Sequence, residues 1–346
     1  MKADKSFTSC RRVQQQEYYL ITVIAGGTGS VKLVRGIAAT LEAQVADRSK
    51  KEIGLTVISN VADNIWLHGL YVCPDIDTVI YGLGGILDES KGWGIQGDTF
   101  AFLQQMAMLG EPTWFMLGDR DLATHIVRTW MIREGKSLSE VTEWLAKRHG
   151  VTARVVPSTD SPLVTRISAL ANDSRSGRPE PVSMHLQEFW VKHRGEPQVV
   201  GIKYDGLESA KDNPAAVQAI KSSRMVIIAP GNPITSIGPI VALAEIRKAL
   251  VHDRKKVIAV SPIIGSSAIS GPAVKYMQAL GIPNSPTGVA QYYSDFAGSF
   301  AISHEDKGVA EKIRGFGVDV LQTDILMRSR QDEIRLASFL MQHLNR

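Results

Sequence analysis

Three groups of polar residues in this 346-residue chain have the types and spacing that phosphate chemistry needs. Gly26-Gly27-Thr28-Gly29-Ser30 follows directly on an apolar run and precedes a helical pattern. Glycines let a backbone turn tightly and approach an anion with no Cβ in the way, and the N–H groups and dipole of the next helix favour negative charge. Gly26, Gly27, Thr28 and Gly29 are therefore read as a phosphate cradle, with Lys32 as an added point charge. The spacing is neither the dinucleotide fingerprint nor the P-loop. Pro74-Asp75-Ile76-Asp77-Thr78 sets two carboxylates two residues apart, and Asp63 stands in Ser59-Asn60-Val61-Ala62-Asp63-Asn64. Mg²⁺ takes one or two carboxylates plus phosphate oxygens, so Asp63, Asp75 and Asp77 are candidate ligands. The plain structural alternative is that one Asp caps a helix starting near Thr78; one capping and one functional Asp are expected. In Leu117-Gly118-Asp119-Arg120-Asp121-Leu122-Ala123-Thr124-His125, Asp121 and His125 lie one helical turn apart, and Arg120 could grip a phosphate with two donors. A capped helix with a surface ion pair would also use these residues.

The elements that must position these groups alternate. Tyr19–Ala25, Ile53–Ser59, Arg224–Pro230 and Lys256–Ser261 are continuous apolar runs, as parallel strands covered on both faces should be. Helical patterns cover Val31–Val45, Thr99–Leu109, Leu122–Arg133, Pro239–Leu250 and Arg330–Leu344. Ser137 and Glu140 form a capping box, and Asn213-Pro214 starts another helix. The pattern predicts an α/β, Rossmann-like doubly wound parallel sheet. Segments 20–135 and 224–346 form the core, 136–223 an inserted smaller subdomain and 1–19 a polar tail. Ligands of such sheets lie beyond the carboxyl ends of the strands. That adds Asn60 after the second strand, Asn232, Thr235 and Ser236 after the third, and Gly265 after the fourth.

Composition narrows the classes. Hydrophobic residues make up 44% of the chain, enough for a sizeable core, and the net charge of +4 comes without a long basic run, which argues against a nucleic-acid partner. Two cysteines, Cys10 and Cys73, allow neither a disulfide framework nor a zinc cluster and suit a reducing, cytoplasmic setting. No stretch is long and apolar enough to span a membrane. There is no G-x-S-x-G elbow. Most tryptophans read as core; Trp66 and Trp93 flank the expected site and could stack on a flat ring.

In order along the chain, AGGTGSVKLVRG (25–36), SNVADN (59–64), PDIDTV (74–79), WGIQGDTF (93–100), LGDRDLATHI (117–126), GNPITSIGPI (231–240), SPIIGSSAISGPA (261–273) and TDILM (323–327) resemble the CofD family of 2-phospho-L-lactate transferases. The resemblance implies that the terminal ribityl hydroxyl of 7,8-didemethyl-8-hydroxy-5-deazariboflavin (Fo) attacks a guanosine diphosphate ester of lactate or enolpyruvate. GMP leaves, and a coenzyme F420 precursor forms. It implies Mg²⁺, a homodimer, and a site in which Asp77, Asp75, Met116 and Trp93 meet Fo. Asp77, Asp63 and Arg120 would carry catalysis. A related group of regulatory proteins shares the GGTG start and binds nucleotide sugars without known turnover; the PDIDT segment favours the transferases. A nicotinamide-dependent oxidoreductase lacks its G-x-G-x-x-G.

Overall fold

The computed structural model describes residues 19–46, 53–172, 179–269 and 273–345. Its centre is a seven-stranded, all-parallel sheet in the order β14-β13-β10-β9-β1-β2-β5. The strands are β1 (Tyr19–Ala25), β2 (Ile53–Ser59), β5 (Arg154–Pro157), β9 (Met225–Ile228), β10 (Val257–Val260), β13 (Ser299–Ile302) and β14 (Asp319–Gln322). Alternate residues of the central strands enter different cores. Ile21 and Val23 of β1, with Met225 and Ile227 of β9, pack under α1 (Thr28–Ala46), α2 (Pro74–Leu83), α5 (Leu138–Arg148) and the C-terminal helix Arg330–Met341. Ile24, Val226 and Ile228 pack on the opposite side with Ala216, Ile246 and Val289 from three other helices. Burial on both faces is why these runs are apolar throughout.

The four expected strands are present, and the fold class is the expected one. Three further strands complete the sheet. Each has four residues, and β14 is half polar because it lies at an edge. Their brevity leaves little periodic signal. β5 and α5 fall inside the 136–223 segment, yet β5 hydrogen-bonds to β2 and α5 packs on β5. The remainder of that segment holds an antiparallel sheet in the order β7-β6-β8, made of β6 (Val164–Asn172), β7 (Pro179–His185) and β8 (Val199–Asp205). The expected helix 239–250 is two, Gly238–Ala242 and Ala244–His252.

Small elements dress the carboxyl ends of the strands. A hairpin, β3 (Ile65–Leu67) and β4 (Leu70–Val72), follows β2, and a ribbon, β11 (Ile263–Ile264) and β12 (Ser267–Ala268), follows β10. Helices α3 (Ala101–Met108) and α4 (Asp119–Arg133) cap each other's approach. Asp119 accepts the Ala101 and Phe102 amide protons at 2.9 Å, and Asp98 accepts those of Arg120 and Asp121 at 2.8 and 3.0 Å. Among the described residues no helix is long and apolar enough to cross a membrane.

Candidate active site

The sheet changes winding direction between β1 and β9, because β1 leads outward to β2 while β9 leads the other way to β10. Loops leaving such a pair splay apart and open a crevice. Here the crevice encloses about 650 Å³, with Gly26–Gly29 on one side and Gly231, Asn232, Thr235 and Ser236 on the other.

The two loops touch backbone to backbone. A Cβ on Gly26 would sit 2.8 Å from the Ser236 carbonyl oxygen, and one on Gly231 would sit 2.7 Å from that of Gly26. Gly27 turns with φ 73°, a left-handed conformation that side chains resist. The Asn232 Oδ1 accepts from the Ile234 and Thr235 amides at 3.0 and 3.2 Å and holds the second loop in shape.

PDIDT is the first turn of α2, which begins at Pro74 rather than near Thr78. Prolines suit that position because their missing N–H has no helical partner there. The earlier start separates the two carboxylates, since residues two apart on a helix face different ways. Asp75 turns to the glycine loop. It accepts the Gly27 amide proton at 2.8 Å and the Asn60 side-chain amide at 2.9 Å. Burial raises its pKa to about 6, against the two hydrogen bonds that lower it. Asp63 lines the same part of the crevice. Burial and then repulsion from Asp75 push its pKa well above the carboxylate range, opposed by a hydrogen bond from Asn60. Its Oδ1 is buried without a hydrogen-bond partner, and among the described residues neither carboxylate pairs with a Lys or Arg.

Asp77 turns the other way, onto α4. Both of its oxygens are bound by the fully buried Arg128, with Nη1 to Oδ2 at 3.0 Å. Arg128 Nη1 also donates to His125 Nδ1 at 3.2 Å. A guanidinium can only donate, so Nδ1 is an acceptor and the ring proton of neutral His125 is on Nε2. His125 Nε2 lies 3.4 Å from Asp121 Oδ1, which accepts the Tyr81 hydroxyl at 2.6 Å. For Asp121 burial acts upward, but His125, Tyr81 and Arg128 outweigh it and keep the pKa below the usual value. Asp77, Asp121 and His125 bring one ligand atom each within 4.8 Å of one another. A third wall is apolar and aromatic, with Trp93, Phe115, Met116 and Trp190.

Several expected residues sit elsewhere. Lys32 donates to the Met327 carbonyl at 3.1 Å and does not line the crevice. Arg120 is exposed, bonds the Gln96 carbonyl at 3.2 Å and is off the crevice. Gly265 gives its amide proton to Asp306 at 2.9 Å and lies outside it too. Asn60 is a brace rather than a lining residue. Its Oδ1 accepts from Ala62 N at 3.0 Å, which aims Nδ2 at Asp75 and at the Thr235 carbonyl. All three of Asp63, Asp75 and Asp77 line the crevice, but they do not converge as one set, because Asp77 is bound by Arg128 on α4. Trp93 lines the crevice, whereas Trp66 is 53% exposed against Tyr71. The sequence reading missed Arg128, Tyr81, Tyr276, Trp190 and Arg194. For Arg128 a signal existed, because Asp121, His125 and Arg128 fall on one helix face at i, i+4 and i+7.

Residues 21–326 match the family described as 2-phospho-L-lactate transferase CofD. A 2-phospho-L-lactate transferase of Methanosarcina mazei is 38% identical over 320 residues, covering 92% of this chain and 99% of that one. The one from Methanocaldococcus jannaschii is 37% identical, covering 94% and 98%. A phosphoenolpyruvate transferase of Streptomyces griseus is 37% identical, covering 89% and 92%. Among solved structures, a Bacillus halodurans protein of the UPF0052 family superposes with a TM-score of 0.57 at 14% identity, covering 94% of this chain and 99% of that one, a likeness of fold.

Proposed function

The chain belongs to the 2-phospho-L-lactate transferase family CofD, and from that premise we propose that it transfers a phospholactyl or phosphoenolpyruvyl group from a guanosine diphosphate ester to the ribityl hydroxyl of Fo, releasing GMP, in coenzyme F420 biosynthesis. It is a transferase of phosphorus-containing groups, of the 2-phospho-L-lactate or phosphoenolpyruvate type. The observation that carries the finer reading is the pair Asp63 and Asp75, buried beside the glycine loop with raised pKa values and, among the described residues, no cationic partner. Carboxylates kept in that state suit a divalent cation that a diphosphate brings with it.

Asp63 and Asp75 would hold Mg²⁺, which when bound neutralises charge on the diphosphate oxygens. The remaining work is positioning, because such a transfer asks little covalent help of a protein. The first-turn amides of α1 at Thr28 and Gly29 have no helical acceptor and suit the diphosphate. Gly231, Thr235 and Ser236 close the other side of it. Asn60 fixes Asp75 against the loop. The wall of Trp93, Phe115 and Met116 suits the flat deazaflavin, with its ribityl chain running toward α2. Both oxygens of Asp77 are taken up by the buried Arg128 guanidinium, so Asp77 is assigned to orienting Arg128 and His125 along the ribityl path. The reading extends to a cytoplasmic homodimer.

The test is to incubate the protein with Fo, Mg²⁺ and the guanylyl esters of lactate, enolpyruvate and glycerate in turn, and to measure GMP. One ester should yield GMP together with an Fo phosphodiester. Absence of GMP with all three would defeat the reading.

A further inference from the structure

The donor proposed above carries a carboxylate on its three-carbon acid, and no residue assigned so far receives it. Resting on that reading, we infer that Arg194 and Tyr276 form the subsite that binds this carboxylate. Two cationic side chains line the crevice, Lys91 and Arg194. Lys91 is committed, pairing with Asp88 at 2.9 Å and lying 5.6 Å over the Trp93 ring and 5.3 Å over that of Phe100. Arg194 has neither a hydrogen-bond nor an ion-pair partner among the described residues, and its fork of donors matches a carboxylate.

The backbone at Arg194 points the same way. The residue has φ 53°, followed by Gly195 at 61°. An arginine in the left-handed region is unusual where a glycine or asparagine would fit without strain. The turn needs nothing from its side chain, because His193 N–H to the Glu188 carbonyl and Gly195 N–H to that of Phe189 already close it, at 2.9 and 2.8 Å. Lys275 then ties this turn to the helix Ala273–Ala279 by donating to the Gly195 and Glu196 carbonyls.

The next residue on that helix is Tyr276. It lines the crevice at 1% exposure, packs its ring 5.9 Å from that of Phe189, and has a hydroxyl with no partner among the described residues. A buried hydroxyl without a partner is costly unless a ligand supplies one. Burial, and then the charge of Asp63, push its pKa above the usual phenol value, so it remains a donor. Asp63 lines the same cavity, so this donor shares the space in which the expected diphosphate and its esterified acid must lie.

Binding can be measured by calorimetry with Mg²⁺ and without Fo, so that nothing turns over. The probes are guanosine diphospholactate, its carboxamide analogue and GDP. Arg194→Gln should weaken the lactate ester about 10- to 100-fold, the span of a charge-assisted contact, and leave the carboxamide and GDP unchanged. Tyr276→Phe should weaken the lactate ester several-fold with the same selectivity, and Arg194→Lys should fall between wild type and Gln. Equal losses for ester and carboxamide, or weaker GDP binding in Arg194→Gln, would overturn the subsite and move the guanidinium to the diphosphate. No change in Arg194→Gln, with the fold intact by circular dichroism, would overturn it as well. If wild type binds the ester in this selective way yet yields no GMP with Fo, the catalytic reading fails and the subsite stands. If wild type binds neither the lactate ester nor its carboxamide analogue, both fail.

Discussion

Two pairs of carboxylates face the same crevice from neighbouring elements, and their surroundings treat charge in opposite ways. Asp77 and Asp121 sit among Arg128, His125 and Tyr81, all of which donate or attract, so Asp121 stays ionised in spite of burial. Asp63 and Asp75 sit among backbone, Asn60 and each other, and both are pushed toward the protonated form. The first pair has its positive charge as folded, from Arg128, and that contact holds α2 against α4. The second is incomplete as folded, and a protein retains such a pair only where something else supplies the positive charge. One helix, α2, provides a member of each pair within its first turn.

The largest expected effect breaks the completed pair. Arg128→Met leaves the buried Asp77 charge without a partner, and orphaning one half of a buried ion pair costs about 3–5 kcal/mol. Chemical denaturation should record that loss. Asp77→Asn in the same background should recover much of it, because it removes the stranded charge. A loss under about 1 kcal/mol for Arg128→Met would mean that the Asp77 contact is not a structural one.

Next is activity at the incomplete pair. Asp75→Asn keeps shape and most hydrogen bonding but removes charge, and the loss of such electrostatic stabilisation costs roughly a hundredfold or more in rate. GMP release by this variant should fall by that order and lose its dependence on Mg²⁺, while denaturation should show no loss of stability, since the charge removed is one that burial disfavours. Wild-type turnover would move the cation to Asp77, Asp121 and His125, the other set whose ligand atoms converge.

The contrast between the pairs was only half legible in the sequence. The four apolar runs gave the sheet, and GGTGS at the end of the first gave the crevice, because a strand–glycine–helix junction has one place in such a fold. PDIDT was legible as chemistry but not as geometry. Moving the helix start from Thr78 to Pro74 turns Asp77 from the phosphate side to Arg128. Lys32 and Arg120 show the limit from the other direction. Each has the right charge and lies close in sequence to the loops, but a helix rotation aims Lys32 at Met327 and the Asp98 contacts at the head of α4 leave Arg120 outward. Arg194 and Tyr276 reach the crevice from segments far along the chain, through a turn whose left-handed backbone no local pattern announces.

A smaller effect has the unusual sign. Asp63→Asn removes a buried carboxylate that its neighbours disfavour, so in metal-free buffer at pH 8 the variant should melt higher than wild type, by roughly 2 °C for about 1 kcal/mol. The same substitution should abolish most GMP release. A fall in melting temperature would show that Asp63 has a favourable partner and that the pair is not held waiting for a cation.

The last effect concerns pH. Asp75 has a folded-state pKa of about 6 against an ordinary value of 3.8. Between those values the folded protein holds a proton that the unfolded chain has released. Its contribution to stability is therefore complete below about 4 and is lost as pH rises through about 6, and the raised pKa of Asp63 carries the same sign. Metal-free protein should thus lose part of its stability between pH 5 and 7. Mg²⁺ competes with that proton for the same oxygens, so the stabilisation it gives should be near zero at pH 5 and full by pH 7.5. At ten times its dissociation constant, Mg²⁺ adds about 1.4 kcal/mol. Thermal melts of wild type across that pH range, with and without Mg²⁺, should show the increment growing with pH, and Asp75→Asn should remove it. A pH-independent increment, or one that survives in Asp75→Asn, would place the cation away from this pair and leave the two raised pKa values without a function.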